Sequence, residues 1–427
     1  MGYTTITFLI FTLLVVAAYY MFPVKKYQWT VLLAASYVFY LWASWRYVIF
    51  ILITTYTVYF AALAMYRNIK EAKETVAQHK KEWDKEQKKQ YKESMKKKRK
   101  RLLILVLVLN LGILVFLKYF NLFAGGLNTL LGFTGIEASV PILKLFLPLG
   151  ISFYTFQSTG YLIDVYREKI EPEINPAKYA LFVSFFPQII QGPISFYDQL
   201  AHQLYAEHSF SYKNLKYGAF LMLWGYLKKM VIADRAVSLI NTVTADYRQY
   251  SGTVILITVL VYALQLYADF SGGIDISRGF AEILGIQMAE NFKRPYFAVN
   301  INDYWRRWHI TLGAWMKNYV FYSLAMSKRF LKMGKDLKQK YGSNPVGAHV
   351  AKVLPTGIAS FITFLSVGIW HGANMKYVAF GIWNGGVIMV SILMQPLFDK
   401  AVAKLKIRTK SLWWKAFQIL RTFVIVL

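Results

Sequence analysis

The chain has 427 residues, 56% of them hydrophobic and 17% aromatic, above the apolar share of a soluble domain, so it reads as an integral membrane protein. Its formal charge of +28 lies mainly in loops between apolar segments, where cations set topology and hold anionic headgroups; membrane lipids are therefore predicted partners and nucleic acid is not. Cysteine is absent, which excludes thiol catalysis, disulfides and cysteine-based metal sites.

Apolar runs near 18 residues recur, and a hydrocarbon layer about 30 Å thick needs about 20 helical residues to cross. The runs are continuous rather than alternating, so helices and not barrel strands are predicted to span. Residues 4–22 form the first run, with Lys25 and Lys26 just after it; this polarity is opposite to a secretory signal and predicts an uncleaved helix with an outside N terminus. Residues 29–42 and 47–65 read as a tight helical pair. Residues 67–101 are dense in lysine without proline or glycine, which predicts a basic, largely helical cytoplasmic arm. Residues 102–120 re-enter the membrane, and 121–141 read as a weakly polar connection.

From residue 145, Pro148, Gly150, Ser152, Thr155, Gln157, Ser158, Thr159 and Gly160 crowd one segment. Such groups are tolerated at depth through small-residue packing or on the wall of a cavity, and the cluster favours a cavity wall. The stretch 185–197, with Pro187, Gln188, Gln191, Gly192 and Pro193, predicts a broken or re-entrant piece. Residues 217–233 and 254–267 read as membrane segments, after which Gly272 and Gly273 are predicted to interrupt the helix. Asp269 and Asp275 are carboxylates at membrane depth, which points to function; the alternatives are that Asp269 caps a helix over 274–284 or pairs with Arg278. Further on, 328–352 and 400–415 are basic and read as cytoplasmic. The segments 354–370 and 377–396 between them place His371 on the far side. The final run, 421–427, is too short to span.

The chain is organised around 290–322, ENFKRPYFAVNINDYWRRWHITLGAWMKNYVFY. Read as one helix, Trp305, His309, Leu312, Met316 and Tyr319 share a face, while Asp303, Arg306, Arg307 and Lys317 lie opposite with Asp303 placed for local ion pairing. His371 sits in VGIWHG, again after a tryptophan. The remaining histidines, His79, His202, His208 and His349, stand in polar contexts and read as solvated. An apolar setting favours neutral imidazole, the form that can take a proton from a hydroxyl. A metal site would need more convergent ligands than either histidine has nearby, so no metal is predicted; a hydrogen-bonded core histidine is the competing role. No G-x-S-x-G, Walker, HExxH or dinucleotide fingerprint appears in a convincing context. Histidine-assisted group transfer and a lipid or glycan transporter remain open, the latter without visible repeated halves.

LPLGISFYTFQ, FFPQIIQGPI, DFSGGIDI, ENFKRPYF, NDYWRRWHITL and GIWHGAN, in this order across residues 146–386, resemble the membrane-bound O-acyltransferase family. Within it the chain is most similar to bacterial surface-polysaccharide O-acetylases of the alginate type, and more distantly to the D-alanyl transfer protein of teichoic-acid modification. Lys317 and Asn318 depart from the family's Arg-Asp pair. The resemblance implies an all-α polytopic fold over 1–427, with about ten to twelve transmembrane or re-entrant helices around a funnel, in the bacterial cytoplasmic membrane. His371 matches the family's catalytic histidine and His309 its second one. Asp303, Trp305, Arg306, Trp308, Trp370, Asn374, Asp269, Ser271, Gln157 and Gln191 are implied to line the substrate tunnel. No cofactor is implied to stay bound. The implied donor is acetyl-CoA, or alternatively a D-alanyl carrier protein, which would be a cytoplasmic partner. The implied acceptor is a hydroxyl on a cell-surface polysaccharide or on an extracytoplasmic partner protein. The family usually continues past the point where this sequence stops.

Overall fold

The computed structural model describes residues 2–134, 139–143 and 145–427. Among them every regular element is helical apart from one isolated bridge, Phe292 to Trp308. Five helices are long and apolar enough to cross a membrane: Trp45–Gln78, Lys85–Phe133, Gly252–Ile283, Pro345–His371 and Met375–Leu393. The chain is an all-α polytopic membrane protein. Its contacts divide into two compact units, Met1–Leu117 with Lys144–Ala289, and Lys118–Leu143 with Glu290–Leu427.

In the first unit the lysine-rich stretch is helical through Gln78 and again from Lys85. The two helices turn back over residues 79–84, where His79 stacks on Trp83 at 4.6 Å and bonds the Thr75 carbonyl while its side chain stays 37% exposed, so the solvated setting predicted for it holds in part. Residues 121–141, which belong to the second unit, are helical as far as Phe133, because their apolar residues continue a helix already begun; residues 135–138 of that expectation lie outside the described residues. The stretch 185–197 is broken as its composition predicts: a helix over Pro176–Ser184 bends at Phe185, resumes over Phe186–Gln191 and stops at Gly192. Gln157, on the helix Ile151–Tyr166, donates to the Phe182 carbonyl at 2.8 Å and accepts from Gln188 at 2.9 Å. This amide ladder ties three buried helical pieces together.

Gly272 and Gly273 do not interrupt their helix, which runs unbroken from Gly252 to Ile283. A Cβ at Gly272 would lie 2.9 Å from the Gly225 carbonyl, and one at Gly225 would lie 2.6 Å from the Gly272 carbonyl. Gly218 and Gly279 meet in the same way one heptad along. The glycines therefore bring Tyr212–Tyr226 and Gly252–Ile283 into near-backbone contact, a geometry that small residues permit and lipid does not oppose. A π-helical turn, Leu227–Ala233, follows Tyr212–Tyr226 and directs two consecutive lysines at one neighbour. Lys228 pairs with Asp275 at 2.6 Å and donates to Ser271 at 3.0 Å, while Lys229 pairs with Asp269 at 2.6 Å and Asp234 at 2.8 Å. Asp269 is thus an ion-pair partner inside a helix and caps nothing, and Arg278 pairs with Asp275 at 3.6 Å. His208 is half-buried, with its Nε2 2.8 Å from the Gln203 carbonyl.

In the second unit Pro345–His371 and Met375–Leu393 pack as a hairpin. Gly368 approaches Gly381, and Gly385 approaches Phe361, both so closely that a Cβ would sit about 3 Å from the neighbouring backbone. Asn344 caps the first helix ahead of Pro345, and Asn374 caps the second, each supplying an acceptor to an orphan amide. His349 is half-buried against the Ile392 carbonyl at 3.1 Å rather than solvated.

The glycine seam predicts that Gly225→Leu lowers the unfolding temperature in detergent by the equivalent of about 1–3 kcal/mol, whereas Gly386→Ala, whose Cβ meets nothing within 4 Å, leaves it unchanged. Equal stability of the two variants would contradict the close approach. Removing one partner of the buried Lys228–Asp275 pair, as in Lys228→Met, costs about 3–5 kcal/mol. Adding Asp275→Leu to that variant should restore most of the loss in the same assay.

Candidate active site

The predicted 290–322 helix is not continuous. Short helices over Ile301–Trp305 and Ile310–Met316 are separated by a turn, and a π-helical turn, Lys317–Phe321, follows. The cause is competition for backbone groups: the Lys293 amide donates to the Arg307 carbonyl at 2.9 Å and the Ile310 amide to the Asn291 carbonyl at 3.0 Å. These bonds to an extended strand-like piece replace the i→i−4 bonds of a helix. His309 consequently heads its helix with φ 46° and ψ 52°, a left-handed conformation that costs an L-residue about 1–2 kcal/mol and that concentrates at functional sites.

The imidazole of His309 is 4% exposed. Asn291, fully buried, places its side-chain oxygen 3.3 Å from His309 Nδ1 and accepts there from the Thr311 amide and hydroxyl, each at 3.0 Å. Burial, and secondarily the facing His371, push the His309 imidazole down from its ordinary value to about 3, so it is neutral at physiological pH. Its ring lies 6.5 Å from Trp370, which in turn lies 4.8 Å from His371.

His371 is the last residue of Pro345–His371 and is accessible. Aromatic rings frame it: Tyr377 stacks at 5.9 Å and Phe380 meets it edge-on at 5.7 Å. Gly372 follows His371 because a Cβ there would lie 2.6 Å from the Tyr377 ring. Lys118 donates to the Trp370 carbonyl and stands over the Trp370 ring at 5.4 Å. Trp305 packs on Phe364 at 5.1 Å and on Phe380 at 5.8 Å, with its buried indole nitrogen unpartnered among the described residues. Trp308 is stacked on Tyr304 and packed edge-on to Phe292, Arg306 is exposed, and Asn374 is the helix cap already described. Asp303 pairs with Arg307 at 2.9 Å, as its spacing predicts, and also accepts from the Val299 amide at 3.1 Å.

The structure thus gathers His309, His371, Trp305 and Trp370 into one aromatic cluster. Asp269, Ser271, Gln157 and Gln191 lie in the first unit, where the first three are held by the ion pairs and amide ladder above and Gln191 fills the space beside Gly273. Sequence reasoning missed Asn291 and Lys118. Lys118 carried a usable signal, a lone cation in an apolar run. Asn291 carried none in its spacing, since its partners are 18 and 20 residues away.

A profile of the membrane-bound O-acyltransferase (MBOAT) family matches residues 8–335. The probable alginate O-acetylase AlgI of Pseudomonas aeruginosa is 31% identical over 90% of this chain and 65% of its own length. The peptidoglycan O-acetyltransferase of Helicobacter pylori is 32% identical over 67% of this chain and 54% of its own. The teichoic acid D-alanyltransferase of Bacillus subtilis is 27% identical over 64% of this chain and 65% of its own. The chain therefore spans less than two thirds of the length of each of these relatives.

Because Asp303 supplies two acceptors and Arg307 only a donor to one of them, Asp303→Ala should lower thermal stability in detergent more than Arg307→Ala, by about 1–3 kcal/mol. Equal losses would mean that the bond to Val299 contributes nothing.

Proposed function

We infer the function of this chain from its family, for it belongs to the membrane-bound O-acyltransferases. We propose that it transfers an acyl group, acetyl in the first instance, from a cytoplasmic thioester donor to an acceptor hydroxyl outside, on a cell-surface polysaccharide or a partner protein. The donor is acetyl-CoA, and the membrane is the bacterial cytoplasmic membrane. The observation that carries the reading is the pairing of an accessible imidazole, His371, with a buried neutral one, His309, on either side of Trp370. The alginate- and peptidoglycan-acetylating relatives support the acetyl group and the glycan acceptor.

In this reading His371 is the general base. As the acceptor oxygen attacks the thioester carbonyl, its proton passes to the imidazole. The tetrahedral intermediate collapses, the carbon–sulfur bond breaks, and the imidazolium returns the proton to the departing sulfur, giving an ester and a free thiol. Tyr377 and Phe380 hold the His371 ring, and His309 with Trp305, Trp370 and Asp303 shapes the passage to it. The D-alanyl-transferring relative supports a second reading, in which the donor is a D-alanyl-loaded carrier protein.

Transfer of radiolabelled acetyl from acetyl-CoA in membranes, with an added partner or glycan acceptor, tests the proposal. Wild type should transfer label, and His371→Ala should lose about 10²–10⁴-fold in rate while remaining in the membrane. Label with D-alanyl carrier protein and none with acetyl-CoA would select the second reading. Movement of glycan or lipid across the membrane that survives His371→Ala, with no acyl transfer by the wild type, would indicate a transporter. Gly372→Ala must displace the Tyr377 ring, so its transfer rate should fall severalfold at wild-type expression; an unchanged rate would remove Tyr377 from the mechanism.

A further inference from the structure

We propose that Asn291 is a positioning residue for His309, and that its side-chain oxygen holds the imidazole in the tautomer with hydrogen on Nδ1, leaving the Nε2 lone pair as the ring's acceptor. The tautomer assignment stands on geometry alone. Its use in acyl transfer rests on the function proposed above.

The Thr311 backbone amide lies 3.0 Å from the atom of Asn291 that also faces His309. A backbone amide can only donate, so that atom is the carboxamide oxygen. Turning the carboxamide over would set its NH2 against the Thr311 amide, two donors facing each other in a buried site. The oxygen has no hydrogen to give, so its 3.3 Å contact with Nδ1 is a hydrogen bond only when Nδ1 carries the hydrogen. The Asn291 carbonyl meanwhile holds the Ile310 amide at 3.0 Å, so one residue grips the chain on the C-terminal side of His309 by its backbone and the ring by its side chain. That double grip offsets the left-handed backbone of His309. His371 is the titratable group facing His309, and Lys118 faces His371 in turn.

The test is nitrogen NMR of the full chain in lipid nanodiscs with ¹⁵N-labelled histidine, the His309 signals being assigned by their loss in His309→Gln. Wild type should show Nδ1 protonated and Nε2 bare. In Asn291→Leu, of similar size but with no acceptor, the Nδ1–H form should lose its dominance. In Asn291→Asp it should persist, with protonation of His309 moved to higher pH. Protonated Nε2 in the wild type, or an unchanged tautomer in a folded Asn291→Leu, would overturn the proposal. The wild-type spectrum decides alone if that variant does not fold. In the acyl-transfer assay Asn291→Asp should raise the acid limb of the pH–rate profile, because a carboxylate beside Nδ1 favours the imidazolium; the tautomer read by NMR in Asn291→Leu is what a packing role would not move. If the tautomer is as stated but His309→Gln transfers at the wild-type rate, the tautomer assignment stands and the part given to His309 in the reaction fails.

Discussion

In hydrocarbon each backbone amide and carbonyl must find its partner within the protein, and the rest of this structure follows from that demand. It makes the long apolar runs helical, and it leaves helix association to depend on how closely two backbones can approach. The glycine seam between Tyr212–Tyr226 and Gly252–Ile283 meets that condition, as does the seam between Pro345–His371 and Met375–Leu393. Where the chain departs from a helix, the released groups are taken up at once: the turn before His309 exchanges helical bonds for bonds to residues 291–293.

The same economy governs the polar side chains. Lys228, Lys229, Asp269 and Asp275 neutralise one another across a π-turn, and Gln188 donates to Gln157 between helices. Such groups are conspicuous in an apolar sequence, and conspicuousness alone does not separate a brace from a binding group. In the second unit the contrast is sharper. His371 is accessible within an aromatic frame, and His309 is sealed and held by Asn291. One fold has placed two identical side chains in different environments, the first accessible among aromatic rings and the second buried beside a carboxamide.

Membrane residence, helical class, the lysine-rich helical arm and the break near Pro187 were all legible in the amino-acid order. Each is a matter of local composition or spacing: apolar length, positive charge beside it, proline and glycine, an ion pair four residues apart at Asp303 and Arg307. Family membership was legible for a related reason, since the ordered motifs are themselves local strings. Three things were not legible. The double glycine at 272–273 looked like a helix break and is a packing seam, because its meaning depends on the helix opposite. The 290–322 stretch looked like one helix and is several pieces, because distant backbone groups outcompete its own. Asn291 was visible only as a letter of the ENFKRPYF string and gave no sign of its role, because the partners that define it lie about twenty residues along the chain and only folding brings them within hydrogen-bond reach.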